Sequence, residues 1–480
     1  MSPVPTIDIG PFLSQKSKLW KNNGIRSLMV LEDNPGMISL LVGRPNSSTF
    51  PFESITLKLK PTLAGLPSAT GGADPLTLTI ENEDLNEALQ YGMTSGVPRL
   101  LDWLANFQTR VHKRVLDGSW QVNVGSGSQE LIYRTCDILM NDDDFLLIET
   151  PVYPYVHFVY LAVTQFLLVD ARFRGTLGFL AAVPCTLIEV NADSQGLNPA
   201  NLETILSRWH HTHPGKPYPK ALYTIPSGSN PTGASIPEAR KIEVLKLAKK
   251  YNFLVLEDDA YAFLYYGPEG QQARSYFALE VEVNAEKGRV VRFDSFSKVV
   301  SSGMRLGYIT AVPGICNAVG LITLNTNLHT PTVTQIMAYK LLAGWGPDGF
   351  LAHCAGVAVF YRSRRDMFER VARKHLSGLA EWTTPVAGMF LYIKLLVHAS
   401  NPDADSWELI STKAVAKGIL AVPGRAFMPL RGPTPFVRIS FSIIDEDEAD
   451  EACRRLREVI LEARAEAEAA LDDCHLTAYV

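Results

Sequence analysis

Between residues 120 and 310, short apolar runs alternate with longer helix-like stretches, and no other feature of the chain limits its fold as strongly. Residues 121–124 (QVNV), 145–149 (FLLIE), 221–225 (ALYTI) and 253–257 (FLVLE) read as buried strands, and 289–293 (RVVRF) as a half-buried one. Strands separated by helical patterns pair in parallel, because a crossover helix returns the chain to the same end of the sheet. The chain is therefore α/β. Beyond residue 340 the pattern becomes helix-rich, with a strand pair around 389–395 (MFLYIKL) and 436–442 (FVRISFS). It closes in an amphipathic helix that is acidic at its start and basic later, which suits the helix dipole. This divides the chain into an N-terminal arm with part of a smaller domain (1–60), a large domain (61–340) and a small C-terminal domain (341–480).

In open α/β sheets, ligands bind beyond the carboxyl ends of the strands. Each run above is followed at once by small or polar residues. Gly125-Ser126-Gly127-Ser128-Gln129 opens a helix whose free N–H groups favour an anion such as phosphate. Pro226 to Gly233 contains Asn230-Pro231-Thr232-Gly233, which on its own is ordinary turn chemistry. Asp258, Asp259 and Tyr261 follow the fourth run; an acid there alone reads equally well as a helix cap. After the fifth run come Asp294, Ser295, Ser297, Lys298, Gly303 and Arg305, more functional groups than a solvated face supplies. Together they suit one chemistry. A lysine amine can hold an aldehyde cofactor as a Schiff base, and a carboxylate can keep a pyridine nitrogen protonated. Hydroxyls, a helix N-terminus and an arginine can hold a phosphate.

This ordered set resembles the pyridoxal-phosphate-dependent class I/II aminotransferases of fold type I, specifically the kynurenine/2-aminoadipate and fungal aromatic aminotransferase branch. The markers are LQYGMTSGVPRLLDWL, GSGSQ, SNPTG, EDDAY, DSFSKVVSSGMRLGY, AGMFLYIK and FVRISFS, with seven residues from Lys298 to Arg305. The resemblance implies a large domain with a mostly parallel seven-stranded sheet, a smaller α+β domain, and a homodimer with shared active sites. It implies pyridoxal 5′-phosphate on Lys298, which would also move the substrate Cα proton. Asp258 would partner the pyridinium, Tyr153 would stack on the ring, and Asn230 and Tyr261 would bond its phenolic oxygen. Ser128, Gln129, Ser295, Ser297 and Arg305 would cradle the phosphate, with Tyr91 reaching in from the other subunit. Arg438 would clamp the substrate carboxylate. Arg26 resembles a mobile arginine that covers substrate, and Phe390 with Tyr91 would favour an aromatic or long aliphatic side chain. The branch's Gly-Gly-Leu-Pro-Asn is here Val42-Gly43-Arg44-Pro45-Asn46, so Gly43 is kept while a glycine is lost and an arginine gained.

The implied reaction moves the amino group of tryptophan, phenylalanine, tyrosine, kynurenine or 2-aminoadipate to a 2-oxo acid. A carbon–sulfur β-lyase or a cyclopropane-carboxylate-synthase-like enzyme, which share these cofactor residues, is the alternative. A net charge of −5 argues against nucleic acid or an anionic membrane as the main partner. Six scattered cysteines without CxxC spacing, and no basic-then-apolar leader pattern, suit the cytoplasm. His210, His211 and His213 lie in a Pro/Gly-rich stretch with no carboxylate at ligand spacing, so no metal is expected.

Residues 155–174 (YVHFVYLAVTQFLLVDARFR) interrupt the pattern, and joining Pro154 to Gly175 restores a family-like PVYPGTLGFLAAVPC. Two origins are open for these 20 residues. One is an intron retained in the gene model, since Tyr155-Val156 must be encoded TAY-GTN and a Pro154 codon ending in G would create a fungal 5′ splice signal. The other is a genuine insertion. The run is short, contains His157 and is embedded inside the domain, so it is not read as a membrane span.

Overall fold

The computed structural model describes residues 4–21, 28, 31, 34–38, 40–41, 43–60, 77–153, 185–397, 404–429 and 432–477. The 155–174 segment and Arg26 lie outside them.

Two strands, β1 (Ile55–Lys58) and β2 (Thr77–Ile80), form a small antiparallel pair. The central sheet is built from β3 (Gln121–Gly125), β4 (Asp144–Thr150), β5 (Cys185–Asp193), β6 (Gly196–Leu197), β7 (Ala221–Thr224), β8 (Leu254–Asp258), β9 (Val290–Ser295) and β10 (Gly307–Ala311). Their order is β3-β10-β9-β8-β7-β4-β5-β6. The five sequence runs are strands within a residue or two of their expected limits. The sheet has eight strands rather than seven because β6, two residues long, folds back antiparallel on the end of β5. β5 and β10 were not anticipated from the sequence pattern.

Strands β4, β7, β8 and β10 are buried along their whole length, which explains their lack of polar alternation. Leu146, Leu147 and Ile148 are fully inaccessible, each worth roughly 1.5–3 kcal/mol of burial. β10 runs antiparallel to both neighbours and aligns Gly307 with Gly125 of β3 and Ser295 of β9. A reversed strand starts where its neighbours end. The residues just before β10 therefore reach the same rim as the residues just after β3 and β9.

The helix Thr332–Leu376 changes direction at Gly346 (φ 66°), ahead of Pro347. Ile336 and Leu342 before that point and Phe350 just after it pack into the central core, and the last part packs Phe368, Val371 and Leu376 into a second core. That second core lies under a four-stranded antiparallel sheet of β11 (Ala380–Glu381), β12 (Phe390–Leu395), β13 (Val422–Pro423) and β14 (Phe436–Ser440), ordered β11-β12-β14-β13. The C-terminal helix Glu446–Thr477 closes it with Ala449, Cys453, Leu456, Ile460 and Ala463, one apolar stripe at helical spacing. The histidine stretch forms part of a short helix, Trp209–Thr212; His213 stacks on Trp209 and His210 meets the edge of Tyr218.

Candidate active site

A cavity of about 300 Å³ opens at the rim where β3, β7, β8 and β9 end. Its floor begins with β3, whose chain turns through Gly125 to Gly127 into the helix Ser128–Leu139. Gly127 has φ 93°, and a Cβ there would overlap Arg305 Nη2 and stand 3.2 Å from its Cζ. Only glycine leaves room for the guanidinium over the helix start. Arg305 donates to Ser302 O at 3.1 Å and to Ser297 Oγ and Ser126 O at 3.4 Å each. Ser128, Gln129, Ser295 and Ser297 line the same end of the cavity, a pocket of hydroxyls, helix N–H groups and one cation. That is the chemistry a phosphate needs.

The opposite wall is set by β8. Asp258, its last residue, is buried; Oδ2 accepts from Tyr223 Oη at 2.6 Å, while Oδ1 has no partner among the described residues. Burial pushes its carboxyl up to about 6, against the Tyr223 hydroxyl, which lowers it, and with the neighbouring Asp259 charge adding to the rise. Lys298 follows β9 on a short turn and lies 5.7 Å from the centre of the Tyr261 ring. Burial lowers its ammonium pKa; nearby Asp258 opposes this and Arg305 adds to it. Tyr261 is buried against the cavity, and burial raises its phenol pKa.

The small domain supplies the remaining wall. Arg438, in the middle of β14, donates to Asn230 Oδ1 at 3.0 Å, and its Nε has no partner among the described residues. Its guanidinium lies 4.6 Å from the ring centre of Phe390 and 5.0 Å from that of Phe427, two cation–π contacts that help hold it in place. Tyr153, three residues beyond β4, also lines the space.

The structure thus gathers Ser128, Gln129, Tyr153, Asn230, Asp258, Tyr261, Ser295, Ser297, Lys298, Arg305, Phe390 and Arg438 around one cavity. Two of the expected residues are elsewhere in the single chain. Tyr91 is 56% exposed with its ring edge-on to His329, and Gly43 stands in open space. Tyr223, Ser302 and Phe427 were missed: Tyr223 sits inside an apolar run, Ser302 lies between Lys298 and Arg305 in a marker whose other residues took the roles, and Phe427 lies in a stretch with no motif of its own.

A model of the family "Aminotransferase class I and II" matches residues 179–456. The chain belongs to the class I and II aminotransferase family. Aminotransferase tdiD of Emericella nidulans is 46% identical over 450 residues, covering 94% of this chain and 95% of that protein. The mouse mitochondrial kynurenine/alpha-aminoadipate aminotransferase is 35% identical, over 94% of this chain and 99% of its own. Among solved structures, the kynurenine aminotransferase of Pyrococcus horikoshii, in complex with PMP and with kynurenine as substrate, superimposes with a TM-score of 0.68. It is 28% identical and covers 95% of this chain and 98% of its own. These are all aminotransferases, which favours amino transfer over the lyase or synthase alternative.

The cofactor of this aminotransferase is pyridoxal phosphate, and the cavity fits it on its own evidence. The unpartnered Asp258 Oδ1 suits a ring N–H, and the cradle that a Cβ at Gly127 would fill suits a phosphate. Lys298 supplies an amine to the same cavity.

Proposed function

We propose that this aminotransferase takes the amino group of an aromatic amino acid, kynurenine or 2-aminoadipate and passes it to a 2-oxo acid. The observation that carries the reading is the single cavity shared by Lys298, the unpartnered oxygen of Asp258 and Arg438 from the second sheet. Bound pyridoxal phosphate supplies an aldehyde that takes the amino group and a ring that withdraws electrons from the substrate Cα.

The chain's residues do the rest. Arg438 would hold the α-carboxylate with its planar fork, with the Phe390 and Phe427 rings packed against the guanidinium. Lys298 Nζ would take the proton from Cα; burial, which lowers its ammonium pKa, favours the neutral amine that this role needs. Asp258 would hold the ring nitrogen, and Asn230 and Tyr261 the ring oxygen; Ser128, Gln129, Ser295, Ser297 and Arg305 would anchor the phosphate, and Tyr153 would cover the ring. Phe390 lines the cavity with aromatic surface, which suits the aromatic donors and the kynurenine named for two of the relatives.

We also read the assembly as a homodimer. Tyr91, Met93, Ile38 and Leu40 expose large apolar surfaces, up to 97% at Leu40, and a second copy would cover them while bringing Tyr91 and Gly43 to the cavity. The compartment is read as the cytoplasm, on the five free buried cysteines of the described residues. Among those residues no helix is long and apolar enough to cross a membrane.

The test uses purified protein loaded with pyridoxal phosphate, without an oxo acid, titrated with L-tryptophan, kynurenine and 2-aminoadipate. The visible band should give way to that of the amine form with at least one of them, and no pyruvate should appear. Pyruvate release without that conversion, or no spectral change with all three, overturns the reading. Light scattering of the eluted peak should return twice the chain mass of 52.9 kDa.

A further inference from the structure

Four carboxylates, Glu257, Asp258, Asp259 and Asp294, crowd the ends of β8 and β9. One fully buried cation, Arg292, serves three of them. It donates through Nε and Nη2 to Asp294 (2.9 and 2.7 Å) and through Nη1 to Asp259 (2.8 Å), and it lies 3.4 Å from Glu257. Asp258 receives none of these bonds. Its one side-chain donor among the described residues is the phenol of Tyr223, from the adjacent strand β7. Tyr223 is only 1% exposed, yet it reaches the cavity wall beside Asp258.

That distribution has a chemical consequence. A cation on Asp258 would cancel the charge needed by a pyridinium, and an aliphatic side chain would leave Oδ2 buried without a donor. A neutral phenol avoids both. It holds Oδ2 in place, turns Oδ1 to the cavity, and leaves the negative charge on the carboxylate. Burial, with the Asp258 charge beside it, raises the phenol pKa well above its usual value, so the hydroxyl keeps its proton.

We propose that Tyr223 is a positioning residue for the cofactor ring, pinning Asp258 Oδ2 so that Oδ1 meets the ring nitrogen as a fully charged acceptor. This rests on the assignment of Asp258 as the ring-nitrogen partner. Without the phenol, the carboxylate becomes more basic and the proton shared with the ring moves toward Asp258. The ring then withdraws electrons less strongly, while Arg438 and the substrate carboxylate are untouched.

The experiment places ¹⁵N-labelled pyridoxal phosphate in the holoenzyme and reads the ring-nitrogen shift by NMR, alongside kcat and KM. Tyr223→Phe should move the shift toward the unprotonated value and lower kcat about tenfold or more, with KM for the amino acid changed by less than about threefold. Replacing Tyr223 by 3,5-difluorotyrosine, a stronger donor of nearly the same size, should move the shift the other way and guards against a variant that folds poorly. Asp258→Asn is the control. If it moves the nitrogen shift while Tyr223→Phe leaves shift and kcat at wild-type values, the role of Tyr223 is refuted alone. If Asp258→Asn also leaves the shift unchanged, the assignment of Asp258 falls and takes this inference with it. In the double variant, Tyr223→Phe should add nothing to Asp258→Asn; an additional effect counts against action through Asp258.

Discussion

Replacing Gly127 by alanine separates the cost of folding from the cost of holding the cofactor. Gly127 has φ 93° and ψ 160°, a region open in practice only to glycine. Forcing an alanine into it costs about 1–3 kcal/mol. The new Cβ also overlaps Arg305 Nη2. Arg305 is the softer partner: its bonds to Ser297, Ser302 and Ser126 are 3.1–3.4 Å long and partly exposed, so the guanidinium swings aside before the backbone moves. The cofactor-free protein should therefore lose only the backbone strain. The holoenzyme additionally loses a charge-assisted bond to the phosphate, worth about 1.5–3 kcal/mol, or roughly 10- to 150-fold in affinity. Equilibrium dialysis against pyridoxal phosphate measures the second quantity, and the thermal midpoint of the cofactor-free protein follows the first. A folded Gly127→Ala protein that binds within about twofold of wild type would refute the placement of the phosphate under Arg305.

Arg438→Lys should raise KM for the amino donor by about tenfold or more while leaving pyridoxal phosphate affinity unchanged, since a lysine loses both the fork and the flanking ring contacts; steady-state kinetics beside dialysis checks this. Glu149, in β4, is buried with Oε1 unpartnered among the described residues, and burial raises its carboxyl to about 7. Because the folded protein holds that proton more tightly than the unfolded chain, this group's contribution to stability is highest below about pH 4.5 and declines as pH rises to 7. Glu149→Gln should flatten that slope and raise the cofactor-free thermal midpoint at pH 8; a steeper slope would contradict the assignment. A protein with Pro154 joined to Gly175 should bind pyridoxal phosphate and transaminate, and a spliced transcript that encodes 155–174 would rule out the retained-intron origin.

Much of the site was readable because in a parallel sheet the chemistry follows directly on the apolar run. Asp258 ends β8, Lys298 stands three residues beyond β9, and Ser128 opens the helix after β3. Tyr223 was hidden by the same logic. Within ALYTI it reads as core, and its hydroxyl matters only because β7 lies beside β8, a neighbour relation the linear sequence does not contain. β10 was equally hard to see: five residues long and buried, it has no alternation, and its reversed direction breaks the parallel rhythm. β6 exists because Gly196, at φ 77°, lets the chain fold back within two residues. Phe427 carries no motif at all, and its contact with Arg438 arises only when the chain after β13 passes under β14.

The bond from Arg438 to Asn230 means that the small domain's arginine already has an acceptor before any amino acid arrives. Capture of the carboxylate is then an exchange of one oxygen ligand for two, not the filling of an empty socket. A carboxylate can occupy both arms of the guanidinium and displace the amide oxygen, whereas a primary amide or an ester presents one oxygen and gains little over the ligand already there. If Arg438 binds the substrate carboxylate as proposed, Asn230 would set the threshold that an amino acid passes and its neutral derivatives do not.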